Sequence, residues 1–219
     1  MAGDEEEDDH GPIADRGPAL NEVRLVTVVE TLKKHGARRI LDLGCGEGRL
    51  LRYFLEDPAF LEVVGMDVSP LALERARERL HLDHLPSHHE GKVTLLQGSL
   101  TYRDRRLEGY DGAALVEVME HLDPARLPVF ERTLFEFTRP RVIVLTTPNA
   151  EYNVLYPGLE AGARRHADHQ FEWSRSQFSD WVLTTGREYG YRVEMAGVGP
   201  DDPGMGSPTQ MGVFIRDDR

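Results

Sequence analysis

Arg39-Ile40-Leu41-Asp42-Leu43-Gly44-Cys45-Gly46-Glu47-Gly48 reads as a short buried strand that runs directly into a glycine loop. Glycines there let backbone amides approach a ligand closely at the start of the helix that follows, Arg49 to Leu55. The spacing is G-x-G-x-G, led by an acid at the strand's end. It therefore departs from the G-x-G-x-x-G of dinucleotide-binding folds, and no lysine follows as in a P-loop. Leu61 to Met66 makes a second strand, and Asp67 ends it 19 residues past Gly48.

Outward from this pair the chain alternates between strand and helix. Before it, Val23, Val26, Val28, Val29 and Leu32 recur at near-helical spacing from Asn21 to His35, with Gly36 as a stop. After it, Ser69 caps a helix that has Pro70 at its first position and runs to Leu80. Residues 93–97, 112–116 and 141–146 read as strands, and Pro124 to Thr138 as a helix with Leu127, Phe130, Leu134 and Phe137 on one face. An irregular stretch to Asp168 precedes a helix from Ser174 to Tyr189, and residues 191–198 and 210–215 make terminal strands. The order predicts one α/β domain with a mostly parallel, doubly wound sheet and an antiparallel closing strand at its edge.

The 219 residues, 40% hydrophobic and 29% charged, suffice for one such domain and its core. No apolar run approaches the roughly 20 residues that span a bilayer, and no signal-peptide pattern opens the chain, so no membrane partner is expected. The lone cysteine, Cys45, excludes an internal disulfide and favours a reducing compartment, hence an expected cytoplasmic location. Net charge is −12, and Asp4-Glu5-Glu6-Glu7-Asp8-Asp9 carries six of the acids, which leaves −6 elsewhere. Residues 1–20 are accordingly expected to be an acidic disordered leader or linker remnant, and 21–219 the folded domain. The acidic balance argues against broad affinity for a nucleic-acid backbone. Cys45 reads as a small buried filler, and His81, His84, His88 and His89 as part of a polar loop.

The glycine loop with its leading acid resembles the first motif of class I S-adenosylmethionine-dependent methyltransferases, whose fold is Rossmann-like. The resemblance implies that Asp42, Gly44, Cys45 and Gly46 wrap the amino-acid half of S-adenosylmethionine, the acid reaching its ammonium. Asp67 then accepts from the two ribose hydroxyls, and Ser99, with Leu100 beside it, lies along the adenine edge. A cationic sulfonium suits an acidic cleft better than a pyrophosphate does. For the glycines alone, a ligand-free turn or a nicotinamide-binding loop is the competing reading.

The fourth strand delivers Glu117-Val118-Met119-Glu120-His121. If this segment turns helically, Glu117, Glu120 and His121 face one way, and two carboxylates with an imidazole suit a divalent ion. Methyltransferases that use no metal also place Glu-His-Leu after this strand, so Glu120-His121-Leu122 alone equally fits a pocket wall. His166-Ala167-Asp168-His169 shifts the balance, because a loop after the fifth strand returns to the same rim of the sheet.

Glu117-x-x-Glu120-His121, then His169-Gln170-Phe171-Glu172-Trp173, and Phe178 with Trp181, resemble the RNA 3′-terminal 2′-O-methyltransferase family. The likeness runs from the first helix to Phe214 and includes Gly206-Ser207-Pro208-Thr209-Gln210. It implies methyl transfer from S-adenosylmethionine to the 2′-OH of the 3′-terminal nucleotide of RNA. Glu117, Glu120, His121 and His169 would be the ligands of one divalent cation, manganese or magnesium, with Glu120 and His121 catalytic through it. His166 is the candidate proton acceptor, since His169 would be occupied. The short linkage through Arg164-Arg165-His166 is similar to the bacterial RNA-repair branch. There the methyltransferase is the C-terminal half of a protein partnered with a kinase–phosphatase–ligase, and on that expectation the N-terminal half is missing here.

Arg164 and Arg165 are candidate charged forks for terminal phosphates, or else ordinary surface arginines. Phe171 and Trp173 either stack on a terminal base or, the favoured reading, pack beneath the rim. Ser207 to Gln210 line the cleft or simply form a hairpin loop. The competing functions are a small-molecule S-adenosylmethionine-dependent methyltransferase without a catalytic metal and, from another class, a non-catalytic docking module.

Overall fold

The computed structural model describes residues 18–84, 86, 91–160 and 162–216. The acidic run at Asp4–Asp9, most of the expected leader, and His88 and His89 lie outside the described residues. The first helix, α1 (Pro18–Lys34), starts three residues earlier than the periodicity suggested. It is followed by β1 (Arg39–Leu43), α2 (Arg49–Glu56), β2 (Glu62–Asp67), α3 (Pro70–Arg79), β3 (Val93–Gln97) and β4 (Gly112–Val116). Then come α4 (Leu127–Glu131), β5 (Val142–Pro148), α5 (Arg175–Tyr189), β6 (Arg192–Val198) and β7 (Thr209–Ile215). Ser69 caps α3 by accepting from the Ala72 amide, and Ser174 with Gln177 forms a capping box on α5.

The seven strands form one sheet in the order β3-β2-β1-β4-β5-β7-β6. All are parallel except β7, which pairs antiparallel with both β5 and β6. The antiparallel strand is therefore enclosed rather than at the edge; β6 takes the edge, and its outer residues are correspondingly exposed. Period-2 alternation sends successive residues to opposite faces. Ile40, Val142 and Val144 join Val28, Leu32, Leu51 and Phe54 beneath α1 and α2. Leu41, Ile143 and Leu145 join Phe130, Phe135, Phe178 and Val182 beneath α4 and α5. Among the described residues no helix is long and apolar enough to cross a membrane.

The helix expected from Pro124 to Thr138 is three pieces: a 3₁₀ turn at Pro124–Arg126, α4, and a π turn at Arg132–Thr138. The π turn inserts an extra residue per turn. Phe135, five residues after Phe130, is thereby rotated into the core against Trp181, Tyr189, Tyr191 and Phe214. Phe137, expected on the buried face, lies instead under the guanidinium groups of Arg103 and Arg132.

Parallel strands bring the ends of β1, β2, β3, β4 and β5 to one rim, where open α/β sheets place their ligands.

A candidate active site at the carboxyl ends of the strands

The glycine loop is pinned at its start, where the Gly44 and Cys45 amides both donate to the Met66 carbonyl, at 2.7 and 3.0 Å. Gly44 has φ +85°, and a Cβ there would sit 2.7 Å from Val118 Cγ2, so only glycine fits. Asp67 braces the loop from β2, accepting from the Gly46 amide at 2.9 Å and the Ser69 amide at 2.9 Å. Two cavities meet at Gly44 and Glu117. One, of about 620 Å³, is lined by Arg24, Asp42, Cys45 and Gly46; the other, of about 490 Å³, by Asp67, Ser99, Leu100 and His121. All seven residues expected to hold a methyl donor thus line these two adjoining cavities.

Asp42 is 2% exposed, and its Oδ2 has no hydrogen-bond partner among the described residues. Burial, with a smaller push from the Asp67 charge, raises its pKa to about 8. A buried acid oxygen left bare at the end of the larger cavity is what a ligand ammonium would satisfy. Cys45 is buried, its thiol pKa is pushed up by that burial, and its Sγ approaches the Gly46 carbonyl at 3.7 Å, as a filler should.

Beyond β4 the backbone differs from the helical turn expected of it. Glu117 takes a left-handed φ of 53°, and only Met119–His121 form a 3₁₀ turn. As a result, ligand atoms of Glu120, His121 and His169 converge within 4.8 Å of one another, and Glu117 falls outside that group. Its carboxylate accepts from the Thr146 hydroxyl at 2.9 Å and lies 3.3 Å from Arg24 Nη2. Three of the four expected metal ligands are therefore gathered, and the fourth is held aside by partners on β5 and α1.

Glu120 is fully buried; one oxygen accepts from the Thr147 hydroxyl at 3.0 Å, and Oε1 has no partner. Burial chiefly, then the Glu117 charge, raises its pKa well above the usual carboxylate range. A bare acid oxygen beside two imidazoles fits a divalent cation: hard oxygen and nitrogen donors, and a charge in need of compensation. His169 is 3% exposed, with Nδ1 2.6 Å from Glu172 Oε1. His121 is more open, with Nδ1 3.1 Å from Asp168, and burial lowers its pKa against the opposing pull of that acid. The His166 ring lies 4.9 Å from that of His169.

The two arginines part company. Arg164 is exposed, and its Nη1 donates to the His169 carbonyl. Arg165 is 1% exposed, not a surface fork: Nε donates to Asn153 Oδ1, and Nη2 to the Asn149 and Pro208 carbonyls. Only its Nη1 lacks a partner. Phe171 and Trp173 pack half-buried on one another, and Trp173 on Trp181. Ser207 to Gln210 act as a clasp: Asn149 Nδ2 donates to the Ser207 carbonyl, and Gln210 Nε2 to those of Pro148 and Trp173. Asn153 and Thr147 were not anticipated at the site, and Glu172, quoted within the second motif, was given no role there; its signal was its place three residues after His169, within reach of it in a tight turn.

The family model described as a methyltransferase domain matches residues 41–141. The methyltransferase domain of bacterial CtHen1 is 49% identical, with a TM-score of 0.83, covering 91% of this chain and 100% of that one. The chain belongs to the Hen1 small-RNA methyltransferase family. Another member of the family, the small RNA methyltransferase HEN1, superposes with a TM-score of 0.84 at 31% identity, over 90% of this chain and 26% of that one. The small RNA 2′-O-methyltransferase of Gallus gallus is 37% identical over 207 residues, 91% of this chain and 54% of that protein. The chain thus spans about half the length of the curated vertebrate relatives it matches.

Proposed function

We propose that this chain transfers the methyl group of S-adenosylmethionine to the 2′-OH of the 3′-terminal nucleotide of RNA, assisted by one divalent cation, manganese or magnesium. The observation that carries the reading is the buried Glu120, its Oε1 without a hydrogen-bond partner among the described residues and its carboxylate grouped with the His121 and His169 imidazoles, with His121 opening onto the donor cleft. Glu120, His121 and His169 would hold the cation, and Glu117 would be its fourth ligand. Bound there, the ion supplies Lewis acidity that favours the ionised form of a ribose hydroxyl. Asp42 receives the donor's ammonium, Asp67 its ribose, and Ser99 and Leu100 its adenine edge. His166 accepts the proton, from a ring already placed beside His169. Arg164 is exposed toward a terminal phosphate, and Arg165 adds at most its Nη1.

The greater identity to the bacterial domain than to the vertebrate protein supports the RNA-repair branch. On that reading the partner is a kinase–phosphatase–ligase, and the single buried thiol suits a cytoplasmic setting. The test is methylation of RNAs that differ only at the 3′ end. A 2′,3′-diol is methylated, and the reaction stops with EDTA and resumes with manganese or magnesium. Full methylation of a 3′-phosphate or 3′-deoxy end, or turnover indifferent to EDTA, refutes the reading.

Asp42 adds a proton linkage. In the ligand-free chain its folded pKa lies above the unfolded value, so the stability it contributes is present below pH 3.8 and lost as pH rises through about 8. The donor's ammonium pairs with the ionised acid, so binding at neutral pH releases a proton. Affinity then rises with pH, by close to tenfold per unit well below pH 8 and less steeply as that pKa is approached. Calorimetry in two buffers of different ionisation enthalpy measures the release, and Asp42→Asn should abolish both the release and the slope.

A further inference from the structure

We infer that Glu172 is a positioning residue for the cation site, holding the neutral His169 ring as its Nδ1–H tautomer so that the Nε2 lone pair faces Glu120 and His121. The inference deepens the metal reading above and rests on it. His169 Nδ1 and Glu172 Oε1 are 2.6 Å apart, and the two side chains are 4% and 2% exposed, so no water competes for the contact. Which of the two donates follows from neighbours whose roles are fixed. Arg165 Nε can only donate, and its partner at 2.7 Å is Asn153, so the amide must present Oδ1 to it. That orientation turns Asn153 Nδ2, a donor, to Glu172 at 2.6 Å. The Arg165 backbone N–H, also a donor, meets Glu172 Oε1 at 2.7 Å. An ionised carboxylate that receives both is an acceptor only, so His169 Nδ1 must carry the hydrogen.

One buried line of hydrogen bonds thus joins Arg165, Asn153, Glu172 and His169, and it leaves Nε2 as the His169 nitrogen with a free lone pair. A metal-binding imidazole gains basicity and a fixed plane when its other nitrogen donates to a carboxylate. His121 has no comparable support: its contact with Asp168 is 3.1 Å long, and the two side chains are 39% and 71% exposed. The rigid imidazole of the pair is therefore His169.

The test is Mn2+ binding to the full chain without RNA, read from the electron paramagnetic resonance of the free ion. Glu172→Gln should weaken binding by about 10–100-fold, because one amide cannot accept from both His169 and Asn153. Affinity for S-adenosylmethionine should be unchanged. In a His169→Ala background the same substitution should cost no further Mn2+ affinity; an equal cost in both backgrounds assigns Glu172 a merely structural role and overturns the inference. If Glu172→Gln does not fold, the wild-type ring decides. Long-range nitrogen–proton NMR should find neutral His169 with hydrogen on Nδ1, and the opposite tautomer overturns the inference. A wild-type chain with the expected tautomer that binds no Mn2+ defeats the metal reading and this inference with it, whereas wild-type binding left unchanged in a folded Glu172→Gln defeats this inference alone.

Discussion

Glu120→Gln is expected to lower methyl transfer to RNA by at least about 100-fold, the upper range for disturbing a metal site, while S-adenosylmethionine binds as before. The substitution conserves volume in a fully buried position and retains an atom to meet the Thr147 hydroxyl. What it removes is a carboxylate whose Oε1 has no hydrogen-bond partner among the described residues. An unpaired buried charge costs folding free energy, so its loss is neutral or stabilising when no cation is present. Melting in EDTA should therefore find the variant at least as stable as the parent. Adding Mn2+ should then raise the parent's Tm and leave the variant's where it was, since a ligand stabilises only the state it binds. The donor cleft is built from Asp42, Asp67 and the glycine loop, and Glu120 lines neither of its two cavities, so donor affinity is an internal control. Wild-type turnover in Glu120→Gln, or equal stabilisation of both chains by Mn2+, would sink the metal assignment.

What the sequence revealed, and what it hid, follows from how local each feature is. The strand–loop–helix from Arg39 and the Ser69-Pro70 helix start are decided by neighbours in sequence: apolar alternation, glycine at positive φ, a side chain capping an amide three residues on. They were legible, and so was the parallel sheet, because strands separated by helices leave few other connections. The placement of Glu117 was not legible, because its left-handed backbone and its partners, Thr146 and Arg24, depend on β5 and α1, which lie far off in the chain. The π turn was hidden for a similar reason. Leu127, Phe130, Leu134 and Phe137 satisfy helical spacing, but Phe135 is the side chain that fits among Tyr189, Tyr191 and Phe214. The metal-like cluster was legible as residue types and not as geometry: Glu120, His121 and His169 converge as expected, whereas the support of His169 by Glu172 needs the folded loop.

Arg165 is the sharpest instance, because two of its acceptors are backbone carbonyls, which a sequence does not distinguish. Its guanidinium joins the turn after β5, through Asn149 and Asn153, to Pro208 at the entry to β7, and it stacks over the Tyr156 ring at 4.9 Å. Truncation to alanine would strip the buried Asn153 Oδ1 of its Arg165 donor and leave the Asn149 and Pro208 carbonyls only their backbone donors, Tyr152 and Asn149 N–H. It would also open a cavity and remove a cation from beside Glu172. Losing one member of such a buried charged set costs about 3–5 kcal/mol. For a domain of this size that corresponds to a fall in Tm on the order of 10 °C. Arg165→Lys should recover little, because an ammonium on a flexible stem cannot serve acceptors in three directions at once from that depth. Arg164→Ala, made in an exposed neighbour, should shift Tm little and act instead on the KM for RNA. The comparison separates two roles for one residue type. If Arg165→Ala melts with the parent and only its KM for RNA rises, the guanidinium is a phosphate contact through Nη1. The buried clasp then contributes nothing to holding the rim together.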